Sequence, residues 1–180
     1  MQALATFNNN WYKPGSRIKI LIWMLVQAIF FNHSLAVGYD LKIRLLKLFG
    51  ATIGKGVIIK PNVQIKYPWL LTVGDYSWIG EYVWIDNLAK VTIEDNVCIS
   101  QGAYLLTGNH NYKKTTFDLI VKPIIIRQGA WIGAKSIVCP GVTVHSNAIL
   151  TVGSVATSNL EQDGIYQGNP AELIRKRKLE

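Results

Sequence analysis

Two cysteines, Cys98 and Cys139, are all the thiol chemistry the 180 residues contain, and they stand far apart. With no Cys-x-x-Cys pair and no Cys/His ligand spacing, a zinc ribbon and a disulfide framework are excluded, and a reducing, cytosolic location fits best. Histidine is nearly as scarce, occurring only as His33, His110 and His145. Acidic side chains are also few: 11 Asp and Glu face 19 Lys and Arg, giving a net charge of +8. That balance favours an anionic partner, whether a phosphorylated cofactor, an anionic membrane surface or nucleic acid, and charge alone does not choose among them. An apolar run long enough to cross a bilayer is missing as well. The candidate, residues 18–31, is interrupted by Gln27 and falls short of the ~20 apolar residues a span requires. Lys13, Arg17 and Lys19 before it and Ser34–Ala36 after it resemble a signal peptide. Its bulky Trp23, Phe30 and Phe31 instead suit a helix that packs on the protein or lies on a membrane surface.

What the chain does have is repetition. Short turn-like phrases recur, TIGKGVI from Thr52, TVGDYSWIG from Thr72, TIEDNVCIS from Thr92, RQGAWIGA from Arg127 and TVHSNAI from Thr143. Inside them an aliphatic residue returns every sixth position: Ile53, Ile59, Ile65; Val73, Ile79, Ile85; Ile93, Ile99, Leu105; Ile126, Ile132, Val138; Val144, Leu150, Ala156. Neither a helix of period 3.6 nor a strand of period 2 generates this number. A three-sided coil does, with a short strand and a turn on each side and one aliphatic pointing inward per side, about eighteen residues in all. Gly54, Gly74, Gly80 and Gly133 follow inward aliphatics, where a tight corner leaves little room for a Cβ. The predicted fold is an all-β solenoid.

Between Ile93 and Ile126 the anchors lie further apart than one coil requires, so residues 108–123 are an insertion into an otherwise regular ladder, and an excursion from a rigid scaffold is where function concentrates. Ahead of the ladder, residues 17–31 and the stretch DLKIRLLKLFG, with Asp40 as N-cap and Gly50 as stop, read as two helices. Residues 1–50 thus form a helical cap or membrane-proximal segment on a domain of residues 51–180. A short basic helix is predicted at 170–178.

The hexads, the phrase TGNHNY with its loop, and GAWIGAKSIVCPGVTV, LTVGSVAT and YQGNPAELIR together resemble the hexapeptide-repeat acyltransferases over about residues 53–175. The similarity is strongest to maltose/galactoside-type O-acetyltransferases of the colanic-acid and exopolysaccharide branch. That resemblance implies a left-handed parallel β-helix, a homotrimer and acetyl-CoA as donor, with no metal required. The implied reaction is direct transfer to a sugar hydroxyl in a ternary complex, the acceptor being a saccharide or lipid-linked saccharide. Peripheral attachment to the cytoplasmic face of the inner membrane would suit such an acceptor; nucleic-acid binding has only net charge in its favour.

By the same resemblance His110, in Thr107-Gly108-Asn109-His110, is the general base. Asp86 and Asn87 are candidates to orient it or hold the acceptor, or are a solvent-facing turn pair. Tyr82, Trp84, Asn109 and Tyr112 are candidate acceptor contacts, since aromatic rings suit sugar faces, although trimer packing also explains aromatics there. Coenzyme A is expected between subunits, against Trp131, Gly133 and Ala134, with the Ala134 N–H as oxyanion donor. Val152, Gly153 and Thr157 would flank the pantetheine, and Arg175 and Lys176 would meet the phosphates or form a solvated tail. Two other readings remain open: an N-acetyltransferase or serine-type enzyme with the same donor, and a zinc-binding trimer of the same fold.

Overall fold

A computed structural model describes residues 3–32 and 38–178; His33 and Ser34–Ala36 lie outside the described residues. Two helices precede the ladder, α1 (Arg17–Phe30) and α2 (Tyr39–Leu48). The ladder itself winds through strands of two or three residues. The first coil holds β1 (Thr52–Ile53), β2 (Ile58–Ile59) and β3 (Gln64–Ile65), and the second β4 (Leu71–Val73), β5 (Trp78–Ile79) and β6 (Trp84–Asp86). The third holds β7 (Val91–Ile93), β8 (Cys98–Ile99) and β9 (Tyr104–Leu106), after which β10 (Gly108–His110) and β11 (Leu119–Val121) leave the solenoid. Then come β12 (Ile124–Ile126), β13 (Trp131–Ile132), β14 (Ile137–Val138), β15 (Thr143–Val144), β16 (Ile149–Leu150) and β17 (Val155–Ala156). Last are β18 (Gly164–Gly168) and β19 (Ala171–Lys176).

Parallel pairing stacks these into three faces: β1-β4-β7-β12-β15 (face A), β2-β5-β8-β13-β16-β18 (face B) and β3-β6-β9-β14-β17 (face C). Every aliphatic of the six-residue series is buried, forming one continuous column. The predicted glycine corners hold: a Cβ on Gly74 would come 2.7 Å from the backbone N of Asp95 one coil on, and one on Gly133 2.7 Å from Val152 N. Left-handed backbone falls at different turn positions, among them Asn62, Tyr76, Tyr82, Asn96, Lys135 and Asn147.

Face-A anchors in the first three coils are 20 residues apart, and the surplus sits on one edge. In these coils the corner from face C to face A takes eight residues, from Ile65 to Val73 and again from Ile85 to Ile93, where the other corners take six. The insertion leaves from this same C/A edge. Stacked polar side chains hold the wide corners together: Asn87 Nδ2 donates to Tyr67 O (2.7 Å) while its Oδ1 accepts from Tyr67 N (2.9 Å), and Thr107 Oγ1 donates to Asp86 O (2.8 Å).

The helices close the first coil by supplying hydrogen bonds to its unpaired strand edge. Trp23 Nε1 donates to Ile65 O (2.7 Å), Gln27 Oε1 accepts from Ile65 N (2.7 Å), and Lys42 Nζ donates to Lys60 O (3.2 Å). Gln27, which interrupts the apolar run, is thus an edge cap. The second helix begins two residues earlier than predicted, with Gly38 as N-cap, so Asp40 lies in the first turn, where a carboxylate still favours the positive end of the helix.

The predicted helix at 170–178 is not formed. Instead β19 turns back antiparallel on β18, pairing Gly168 with Ala171 and Gly164 with Lys176. The last coil would otherwise leave a row of bare N–H and C=O groups, and pairing them outweighs a two-turn helix too short to be stable alone.

Candidate active site

His110 ends β10, and the insertion is an ordered hairpin at its root: Gly108 pairs with Val121, Asn109 with Ile120 and His110 with Leu119. The imidazole stacks on Phe117, ring centroids 4.2 Å apart and 4° from parallel, and Phe7 packs at 5.5 Å. Its Nδ1 lies 2.8 Å from Phe117 O. A carbonyl can only accept, so Nδ1 carries a proton, and whenever the ring is neutral its unshared pair is at Nε2. Asp86, a candidate to orient this ring, makes no hydrogen bond to it among the described residues; its side-chain partners are Lys66 and Tyr104.

Beside the imidazole lies a cleft of about 440 Å³ whose walls include Phe7, Tyr12, Lys66, Tyr67 and Leu88. The wide C/A corners contribute Lys66, Tyr67 and Leu88; the segment before α1 contributes Phe7 and Tyr12, with Tyr12 OH donating to Leu88 O (2.7 Å). Asp86 is nearly buried at the margin, where it accepts from Lys66 Nζ (2.8 Å) and Tyr104 OH (3.2 Å). Burial, followed by the Asp86 charge and that hydrogen bond, pushes the Tyr104 phenol up to about 12. Burial likewise raises Tyr12 and Tyr67, with Asp86 adding to both.

Of the predicted acceptor residues, Asn87 is fully buried with its amide engaged by the Tyr67 backbone, which makes it a brace of the cleft wall. Trp84 lies outward on face C, stacked on Tyr104 at 4.7 Å. Asn109 Oδ1 accepts from His110 N (2.8 Å), and Tyr112 is exposed near the hairpin tip. Tyr82 sits at the far, B/C edge with φ 58° and is not brought to His110 within one chain.

The donor candidates gather on that B/C edge. Ala134 O accepts from Gly153 N (2.9 Å), Trp131 Nε1 donates to Ser100 Oγ (2.8 Å), and Val152 and Gly153 are exposed. Among the described residues the Ala134 N–H meets no protein acceptor. Gly133, Ala134 and Gly153 leave this edge shallow, which fits the slender arm of a coenzyme A thioester. Arg175, Lys176, Arg177 and Lys178 are not on this edge: antiparallel pairing carries them to the A/B edge at the other end of face B, where they border a cleft of about 530 Å³ and Arg177 donates to Gly129 O and Asn147 O, a charge suited to phosphates. Thr157 lies instead on the C/A edge, past the end of β17.

His110 and Ala134 thus emerge from opposite edges of face C, His110 where β9 ends and Ala134 before β14 begins, with β9 and β14 parallel neighbours. One chain does not bring them together. Sequence reasoning missed Phe7, Tyr12, Lys66, Tyr67, Leu88 and Phe117. For Lys66 and Tyr67 a signal existed, because they stand one 20-residue repeat before Asp86 and Asn87.

No protein-family model matches the sequence. In fold, the chain resembles a hexapeptide-repeat acetyltransferase from Vibrio cholerae (TM-score 0.81, 21% identity, 89% of this chain and 92% of that one). It also superposes on galactoside acetyltransferase in complex with coenzyme A (TM-score 0.80, 25% identity, 89% and 82% covered). In sequence it is 39% identical, over 98% of each chain, to WcaF of Escherichia coli, an acetyltransferase to which colanic acid biosynthesis is ascribed. The chain belongs to the hexapeptide-repeat acetyltransferases. Its solenoid is accordingly a left-handed parallel β-helix, and this hexapeptide-repeat acetyltransferase is an acyltransferase that uses acetyl-CoA.

Proposed function

We propose that the protein acetylates a hydroxyl of a saccharide acceptor in the assembly of a surface polysaccharide, as a homotrimer, with His110 as general base. The observation that carries this reading is the Nδ1 contact of His110 with Phe117 O, which leaves Nε2 as the basic atom beside the cleft. As the acceptor oxygen bonds to the acetyl carbon, His110 Nε2 takes its proton. The carbon–sulfur bond breaks, and coenzyme A leaves with a proton. The Ala134 N–H of a neighbouring subunit holds the charge that develops on the thioester oxygen. Lys66 and Asp86 offer a donor and an acceptor for sugar hydroxyls at the cleft margin.

Two features support an assembly with the donor between subunits. His110 and Ala134 stand apart across face C, and a second copy would bring the two edges together. The outward rows also differ: face A carries Thr52, Thr72, Thr92 and Thr143 with Ile125 between the last two, whereas face B carries Ile58, Trp78, Trp131 and Ile149 and face C carries Trp84 and Tyr104 after Gln64. Mainly apolar rows on two faces and a mainly threonine row on the third suit a subunit covered on B and C. The saccharide acceptor rests on the similarity to WcaF.

The test is coenzyme A release from acetyl-CoA across a panel of saccharide and amino-sugar acceptors. His110→Ala should lower kcat about 10²–10⁴-fold while coenzyme A binding and oligomeric mass stay unchanged; near-wild-type turnover removes the base. Initial-velocity lines that intersect support direct transfer, and parallel lines would replace it with an acetyl-enzyme.

A further inference from the structure

Among the described residues nothing covers the outer face of α1. Ile18, Leu21, Ile22, Leu25 and Ile29 are between 48% and 72% exposed, and their spacing sets them along one side of the helix. The opposite side is committed to the solenoid through Trp23 and Gln27. So wide an apolar stripe on a helix is a contact surface for something.

Charge identifies the partner. Residues 1–39 contain no Asp or Glu, while Lys13, Arg17 and Lys19 cluster where α1 begins. Lys19 Nζ lies over the Trp69 ring at 4.4 Å, which leaves Lys13 and Arg17 exposed beside the stripe, together with Trp11. We infer that α1 docks flat on an anionic lipid bilayer, its aliphatic stripe among the acyl chains and its basic N-terminal end at the headgroups. Its 14 residues would span ~21 Å, short of the ~30 Å hydrocarbon core, so the helix lies on the membrane and does not cross it. A second copy is a poorer cover, because a two-fold contact through this stripe offers those cations no acidic partner from residues 1–39.

Docking would also place the cleft. Pro14 lines the His110 cleft and Arg17 starts α1, so at most about 10 Å of chain separates the acceptor cleft from the docked helix. An acceptor carried on a lipid would be presented to His110 without leaving the surface. The docking itself does not depend on what the acceptor is.

The experiment is co-sedimentation of the full-length protein with vesicles of phosphatidylcholine alone and of phosphatidylcholine mixed with phosphatidylglycerol, over a range of salt. The expected result is binding to the phosphatidylglycerol vesicles that weakens as salt rises. Leu21→Gln/Leu25→Gln/Ile29→Gln should lower the partition at least about tenfold, with thermal midpoint and coenzyme A release retained. Lys13→Gln/Arg17→Gln should lower it about thirtyfold. Wild-type protein left in the supernatant at low salt would overturn the inference, as would undiminished binding of the triple glutamine variant. A loss of oligomeric mass in that variant by sedimentation velocity would assign the stripe to a second copy instead.

Discussion

The carbonyl oxygen of Phe117 lies 2.8 Å from His110 Nδ1, and the phenyl ring of the same residue lies 4.2 Å under the imidazole. One residue therefore fixes both the tautomer and the plane of the ring. It does so from a left-handed backbone, φ 52°, which costs a non-glycine residue of order 1–2 kcal/mol. Phe117→Gly should keep the carbonyl and relieve the backbone but release the ring. We expect kcat to fall ~10-fold with little change in KM for acetyl-CoA, since misorienting a base costs rate more than donor binding. Unchanged kcat would mean that the stack contributes nothing to orientation.

Lys66 and Asp86 form the one ion pair beside the cleft among the described residues, with Lys66 partly exposed and Asp86 nearly buried. Removing the cation leaves a shielded carboxylate with only the Tyr104 hydroxyl. Lys66→Met should destabilise the fold by ~1–3 kcal/mol in urea unfolding, and adding Asp86→Asn should restore part of the loss. If the double variant is no more stable than Lys66→Met, the pair is not coupled.

The six-residue ladder was legible because burial leaves a periodic trace: each inward aliphatic faces the same column, from Ile53 to Ala156. His110 was legible through its motif and through the break in that period. Lys66 and Tyr67 went unread although the 20-residue repeat places them under Asp86 and Asn87; the surplus residues of the C/A corner, which lift them into a cleft wall, leave no hydrophobic mark. Phe7 and Tyr12 had no signal, since they reach the cleft from outside the repeat. Residues 170–178 misled because their composition is helical while their structure is decided by the open edge of β18.

Two corner glycines should respond to alanine for different reasons. At Gly74 the new Cβ would sit 2.7 Å from the backbone N of Asp95, so the coils must part. At Gly153 nothing lies within 4 Å, but φ is +67°. Gly153→Ala should cost only the left-handed penalty, about 1–2 kcal/mol, and Gly74→Ala distinctly more, by thermal or urea unfolding. The reverse order would show that coil spacing adjusts more readily than the turn.

Stability should decline in alkali through the buried phenols. Tyr104 is pushed from 10.0 to about 12, chiefly by burial and then by Asp86. Its folded pKa exceeds its unfolded one, so between these values the native chain keeps a proton that the unfolded chain has released. The contribution is therefore complete below pH 10 and lost as pH rises from 10.0 toward 12. Tyr12 and Tyr67, also raised by burial, act in the same sense. Lys42, lowered by burial, acts in the opposite one, its charged form being the disfavoured state. Comparing Tyr104→Phe with the parent isolates a single phenol: its urea midpoint should fall less steeply above pH 10. Asp86→Asn should bring the Tyr104 phenolate transition down without returning it to 10.0, because burial, the larger cause, remains. A phenolate absorbance titration of parent and variants measures both shifts, and a Tyr104 that ionises normally in the parent would refute the account.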